Sequence, residues 1–232
     1  MRVHVALTPD EAGAAPTGIV IDVIRATTTI CQALASGYER VFCTAEVEEA
    51  RALRDGLGGG VLGGERNAVR IPGFDLGNSP REYVVPAGTT LILSTTNGTR
   101  AVVSAATRCK RVLVASLLNL SAVAEAARAT DEDVIVVCAG VQGTLALDDA
   151  YVAGRIVELL GWERSDAAEG AARLTSTWNG AEEAFLASKS GRNLLENAPE
   201  LEEDIAFCAR ESVLDVVPRL VALHGGAAEI AL

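Results

Sequence analysis

Three times in this chain a short, strongly apolar run ends in a small polar turn that leads into a helical stretch. Gly18-Ile19-Val20-Ile21-Asp22-Val23 precedes a helical pattern over residues 27–36, closed by Gly37. Thr89-Thr90-Leu91-Ile92-Leu93-Ser94 leads through Thr95-Thr96-Asn97-Gly98 to a second helix at about residues 99–106. Val134-Ile135-Val136-Val137 leads through Cys138-Ala139-Gly140 to a third, residues 147–160. Such short runs, rich in β-branched residues, are buried strands. Alternating with helices, they predict an α/β chain of three layers, α/β/α, around a mixed or mostly parallel sheet. Sheets of this kind bind ligands beyond the carboxyl ends of their strands. All three polar turns lie at such ends, so all three are candidates to face one crevice.

The rest of the pattern is less regular. Residues 40–43 and 111–115 read as strands, and residues 121–129 as a helix. Thr44 is expected to cap a helix over residues 45–55, with Glu46, Glu48 and Glu49 near its positive end. Val61-Leu62 reads as a short strand running into a long irregular stretch, residues 63–80. From about residue 161 to 210 the chain is helix-rich: residues 167–189 read as one helix, continued by residues 190–194 and 201–209. Residues 213–217 and 220–223 read as terminal strands. No linker divides the 232 residues, so a single domain is expected. The helical C-terminal part reads either as a homodimer surface or as cover for one sheet face.

Charge and motif content exclude several functions. Acidic residues outnumber basic ones 31 to 20, for a net charge of −11, the wrong sign for a nucleic-acid binder. The five cysteines form no C-x-x-C pair and read as reduced residues of a cytoplasmic protein. The apolar N-terminal run is too short for a leader or a membrane span. No phosphate-loop motif, cysteine-phosphatase loop, paired-aspartate phosphatase motif or serine elbow is present. Gly58-Gly59-Gly60-Val61-Leu62-Gly63 fits G-x-G-x-x-G, but it follows a helix and precedes a strand, the reverse of a dinucleotide site.

Four constellations remain. In Asp22-Val23-Ile24-Arg25-Ala26-Thr27-Thr28-Thr29 the carboxylate suits Mg²⁺ or attack on phosphorus, and Arg25 suits phosphate oxygens. The Thr27 and Thr28 hydroxyls with the helix N-terminus suit an anion; plain capping of turn and helix explains the same residues. Gly63-Gly64-Glu65-Arg66-Asn67 and residues 71–80 read as an ordered binding loop, although Asn78-Ser79-Pro80 reads better as a helix cap. Ser94-Thr95-Thr96-Asn97-Gly98-Thr99-Arg100 offers hydroxyls, close backbone amides and a charge, and again capping is the plain alternative. Gly140, in Cys138-Ala139-Gly140, precedes Asp148-Asp149 at a helix start, where the macrodipole alone favours acids; as metal ligands these need Asp22 or Glu65 as a partner.

Taken together, these blocks resemble the 2-phosphosulfolactate phosphatase family. A weaker tail, Ser190 with Asp204, Cys208 and Val217-Pro218, is similar too, so the likeness runs from about residue 18 to 218. The resemblance implies a Mg²⁺-dependent hydrolase acting on (R)-2-phospho-3-sulfolactate, in a route to coenzyme M. Its catalytic residues would be Asp22, Arg25, Glu65 and Arg100, and its metal ligands would come from Asp22, Glu65, Asp148 and Asp149. Thr27, Thr28, Arg66, Asn67, Thr95, Thr96, Asn97, Gly98, Thr99 and Gly140 would contact a small phosphorylated, sulfonated substrate. The chain departs from the family pattern at Ala68, where Gly is usual, and at residues 197–200. Two alternatives stand: another phosphorylated hydroxy acid as substrate, or a non-catalytic binder of such metabolites.

Overall fold

The computed structural model describes residues 1–232. In chain order the strands are β1 (Arg2–Ala6), β2 (Ala15–Ile21), β3 (Arg40–Thr44), β4 (Val61–Arg66), β5 (Val69–Arg70), β6 (Thr90–Ser94), β7 (Cys109–Ala115), β8 (Val134–Cys138), β9 (Glu163–Arg164), β10 (Arg219–His224) and β11 (Ala227–Ala231). The helices are α1 (Ala26–Ser36), α2 (Val47–Leu57), α3 (Asn97–Ala106), α4 (Leu120–Arg128), α5 (Leu147–Leu160), α6 (Asp166–Thr175), α7 (Ala181–Ala187), α8 (Lys189–Asn197) and α9 (Glu203–Cys208).

All strands join one sheet in the order β5-β4-β6-β3-β11-β10-β7-β2-β8-β1-β9. β4, β6 and β3 form one parallel wing; β7, β2, β8, β1 and β9 form the other. The C-terminal hairpin β10–β11 lies between them, antiparallel to β3 on one side and to β7 on the other. The period-2 alternation of the strands divides the core into layers. In β2, Val20 packs with Ile30 and Leu34 of α1 and Val102 of α3. Its neighbours Ile19 and Ile21 pack on the opposite face with residues of α4, α5, α6 and α7. α2 covers Phe42, Leu62 and Ile92 on the smaller wing. The architecture is the expected three-layer α/β/α with a mostly parallel mixed sheet, and the C-terminal helices cover one sheet face. No helix is long and apolar enough to cross a membrane, and all five cysteines are free.

The differences from the sequence-based expectations have local causes. Thr44 does not cap α2: it pairs with Ser94 as the last residue of β3, and the helix starts later, at Val47. The stretch expected to be irregular continues as β4, because Gly63 and Gly64 pair with Leu93 and Ser94 and Glu65 then folds back on Arg70. The helix expected over residues 167–189 is broken between α6 and α7, and Ser188 ends α7 while capping α8 through Gly191 N–H. Residues 213–217 are no strand; Ser212 and Leu214 N–H donate instead to Leu117 and Leu118 carbonyls. β11 was not expected at all: its Ala-Ala-Glu-Ile-Ala sequence has little β propensity, yet it sits in the middle of the sheet.

Candidate functional site

The carboxyl ends of β2, β4, β6 and β8 open onto a cavity of ≈ 220 Å³. Its walls carry Asp22 and Arg25, Glu65 and Asn67, Thr95 with Thr96 and Asn97, and Gln142, one group from each strand end. The three polar turns recognised in the sequence do face one crevice, with the β4 hairpin as a fourth contributor.

The first turn is built by its own hydroxyls. Thr27 N–H donates to the Asp22 carbonyl at 2.8 Å, and Asp22 N–H donates to Thr27 Oγ1 at 3.1 Å. Thr28 Oγ1 donates to the Val23 carbonyl at 2.7 Å. Both threonines are fully buried and neither lines the cavity, which corrects their expected contact with substrate: they shape the turn. Asp22 does face the cavity. Burial first, then repulsion from Asp148 and Glu65, pushes its carboxyl up to about 7, against the pull of Ala26 N–H and the Arg25 charge. Gly98 lets the second turn touch the first: a Cβ there would lie 2.8 Å from Ala26 Cβ and 3.1 Å from Asp22 Oδ2.

The β4–β5 hairpin turns on Asn67 (φ 54°) and Ala68 (φ 67°). Two left-handed residues between paired Arg66 and Val69 make the tight primed turn that suits right-twisted strands, where glycine is the usual second residue. Glu65 Oε2 accepts Ala68 N–H at 2.8 Å, and the Glu65 side chain lines the cavity. Arg66 does not. Its guanidinium donates to the Ala45 carbonyl at 2.6 Å, to Ser94 Oγ at 3.0 Å and to the Glu65 carbonyl at 2.7 Å. It clamps three loops from behind rather than meeting a ligand.

In the second turn Thr95, Thr96 and Asn97 line the cavity. Thr99 is buried and donates to the Thr44 carbonyl at 3.1 Å. Arg100, a helical residue of α3, is exposed and outside the cavity. Residues three and four positions apart share a helical face, yet Thr96 and Asn97 line the cavity and the Arg100 side chain stays in solvent, so its expected catalytic place is not where the fold puts it.

The aspartate pair at the start of α5 is buried and divided in role. Asp149 Oδ1 accepts Val23 N–H at 2.9 Å and Oδ2 accepts Gly140 N–H at 3.0 Å. It ties two turns together, with both oxygens occupied; burial, Asp148 and Asp22 hold its carboxyl well above the usual range. Gly140 is thus a donor to Asp149, and its neighbours Val141 and Gln142 form the wall in its stead. Asp148 Oδ1 accepts Ser190 Oγ at 3.0 Å; burial raises its carboxyl to about 6, and hydrogen bonds from its own N–H and from Ser190 and Ser188 restrain the rise.

No three acidic, His or Cys side chains gather closely enough to form a ready metal cage. The four expected ligands are thus not gathered into a ready cage, and each Asp149 oxygen already accepts a backbone N–H. The cavity nevertheless suits one hard cation. Asp22 and Glu65 face it, Asp148 adds negative charge nearby, and the single lining guanidinium, Arg25, is already paired with Asp204. Mg²⁺ takes one or two carboxylates and completes its shell with water and phosphate oxygens, which is the donor chemistry present here.

Several wall residues were not picked out as ligand contacts in the sequence. Ser190, Asn193 and Asn197 of α8 all line the cavity, one polar stripe at three- and four-residue spacing. Asn193, in the helix interior where asparagine propensity is poor, was a usable signal. Gln142, held by Lys189 Nζ at 2.5 Å, and Asn78 complete the wall. Asn78 Oδ1 is buried without a protein partner, the condition of a wall finished by a ligand or its water.

A family model described as 2-phosphosulpholactate phosphatase matches residues 4–222. A Thermus thermophilus protein described as a probable 2-phosphosulfolactate phosphatase is 40% identical over 228 residues, covering 95% of this chain and 94% of its own length. A protein of the same description from Thermotoga petrophila is 39% identical over 94% of this chain and 95% of its own. Another, from Carboxydothermus hydrogenoformans, is 38% identical over 86% and 84%.

Proposed function

The chain belongs to the 2-phosphosulfolactate phosphatase family, and on that premise we propose that it is a Mg²⁺-dependent phosphatase converting (R)-2-phospho-3-sulfolactate to 3-sulfolactate and phosphate. One observation carries the reading: a small cavity at four strand ends holds two carboxylates, Asp22 and Glu65, together with the Arg25 guanidinium. A phosphate monoester needs a group to attack phosphorus and positive charge on the phosphoryl oxygens.

Asp22 is the attacking group in this reading. No His or Lys lines the cavity, and a carboxylate can attack phosphorus to form an acyl-phosphate as the ester P–O bond breaks and the alcohol leaves with a proton from water. A second water then attacks the acyl-phosphate and frees phosphate and the carboxylate. The Asp22 carboxyl, near 7, is ionised in about half of the molecules at neutral pH, and a nearby cation would increase that fraction. Arg25 holds phosphoryl oxygens with the N–H groups that its protein partners leave free. Asp22 and Glu65 would hold Mg²⁺, which when bound supplies the charge neutralisation that one paired guanidinium lacks. Glu65 polarises the water that completes turnover. The carboxamides of Asn67, Asn97, Gln142, Asn193 and Asn197 line the same cavity and offer neutral donors to the sulfonate and carboxylate of the substrate.

Phosphate release from 2-phospho-3-sulfolactate, with Mg²⁺ and with EDTA, tests the proposal. Release that stops with EDTA and returns with Mg²⁺ is expected. Release indifferent to EDTA removes the metal from the reading. Turnover of a different phosphorylated hydroxy acid in preference changes the substrate, and tight phosphate binding without turnover of any ester leaves a binder instead of an enzyme.

A further inference from the structure

Arg25 does not choose its own direction. Its side chain is 3% exposed and that of Asp204, from α9, is 0% exposed. Arg25 Nη1 donates to Asp204 Oδ2 at 3.0 Å, and Nη2 donates to the Ala68 carbonyl at 3.1 Å. Asp204 is itself fixed from its other oxygen: Oδ1 accepts Ser79 Oγ at 2.6 Å and Arg81 Nε at 2.9 Å. The carboxylate therefore has no freedom to swing, and it offers Arg25 one oxygen in one direction. Ala68 is braced in turn through Glu65. Of the five N–H groups of a guanidinium, the two held by the protein set the plane of the fork, and the others are left for the cavity that Arg25 lines.

The geometry points to Asp204 as a positioning residue that aims the Arg25 guanidinium at the anion in the cavity. This rests on the phosphatase reading, in which that anion is a phosphoryl group. A helix about 180 positions along the chain thus completes the first turn. The alternative, a buried ion pair that serves the fold alone, makes the opposite electrostatic forecast. Asp204 places a negative charge behind Arg25. If charge alone mattered, removing it would strengthen anion binding; if Asp204 aims the fork, removing it weakens binding.

Asp204→Asn keeps the shape and one acceptor oxygen while deleting the charge. Steady-state kinetics with the phosphate ester, and calorimetry with inorganic phosphate, are measured on the wild type, Asp204→Asn, Arg25→Ala and the double variant. Asp204→Asn should raise KM and the phosphate Kd about tenfold, with a smaller fall in kcat. In the Arg25→Ala background, where Ser79 and Arg81 still partner Asp204, it should change either constant by less than about twofold. A KM that stays constant or falls in Asp204→Asn, or equal increments in both backgrounds, overturns the assignment whatever happens to Tm. Should Asp204→Asn not fold, Ser79→Ala removes one brace and leaves the ion pair; a KM rise of about two- to threefold, abolished with Arg25→Ala, is then expected, and an unchanged KM refutes the idea. A wild type that neither binds phosphate nor hydrolyses the ester sinks the phosphatase reading itself. A wild type that does both, beside an Asp204→Asn variant of equal KM, sinks only the positioning role.

Discussion

The turn after β2 and the turn after β6 look alike as sequences and behave differently as structures. Each is a strand end, a threonine-rich bend and a helix, with an arginine in the bend or just past it. In the first, the threonines face inward and hold backbone, while the charged Asp22 and Arg25 line the cavity. In the second, neutral Thr95, Thr96 and Asn97 line the cavity, and Arg100 points into solvent. The arginines differ in their position and in their partners. Arg25 lies just before its helix, at the N-cap position, and meets Asp204; Arg100 is the fourth residue of α3 and has no ion-pair or hydrogen-bond partner. A repeated local motif supplies two bends of similar form, and what stands behind each bend decides which one carries charge to the ligand.

The contrast is sharpest at Asp22. Asp22→Asn should lower phosphate release by about a thousandfold or more, with the circular dichroism spectrum unchanged and Tm at neutral pH no lower, since the substitution removes a buried and poorly tolerated charge. Activity within a factor of a few of wild type would take the first turn out of the chemistry. Next come the two arginines. Arg25→Ala should reduce kcat/KM by about a hundredfold, whereas Arg100→Ala, at an exposed position, should change it by less than about twofold. Equal losses would erase the distinction between the turns.

Gly98→Ala tests the contact between them. The added methyl meets Ala26 and the Asp22 carboxylate, so a stability loss of about 1–3 kcal/mol in denaturant titration and a marked fall in kcat are expected. A pH series then probes the buried acids. Folding raises the carboxyls of Asp22 to about 7 and Asp148 to about 6 from 3.8. The folded state therefore holds these protons more tightly than the unfolded chain. Their contribution to stability is complete below about pH 4 and is lost as pH rises through about 6 and about 7. On the proposed reading, in which Asp22 and Glu65 hold Mg²⁺, the cation competes with the Asp22 proton, so it should raise Tm clearly at about pH 8 and hardly at about pH 5. An equal Tm rise at both pH values would place the cation elsewhere. The smallest effect is at the hairpin: Ala68→Gly relieves a left-handed φ of 67° and should stabilise the protein by about 1 kcal/mol, visible as a higher denaturant midpoint.

Much of the fold was legible because its signals are local. The helix expected over residues 147–160 is α5 residue for residue, and Gly37 closes α1 with φ at 113°, as a left-handed cap does. Asp22, Arg25, Glu65 and Asn67 could be named for the site because each lies at a strand end in a turn of unusual chemistry. Arg66, Thr27, Thr28, Thr99 and Asp149 have the same chemistry and spend it on backbone groups, and spacing alone does not separate the two uses. The polar stripe of α8 and the Asp204 anchor were missed as parts of the site because their meaning depends on distant partners, 42 positions away for Ser190 with Asp148 and 179 for Asp204 with Arg25.

By itself, then, the order of residues determined which segments are strands and helices, where the chain must bend sharply, and which acidic and basic groups are available at the bends. Periodicity, capping and turn stereochemistry act between near neighbours and leave their mark in the string. Only the tertiary structure decided that a weak alanine-rich strand closes the centre of the sheet, that Arg100 faces water, that α8 completes the cavity wall and that α9 holds Arg25 from behind. Those outcomes come from burial and from hydrogen bonds between distant segments, whose strength depends on a shared interior that exists only once the chain has folded.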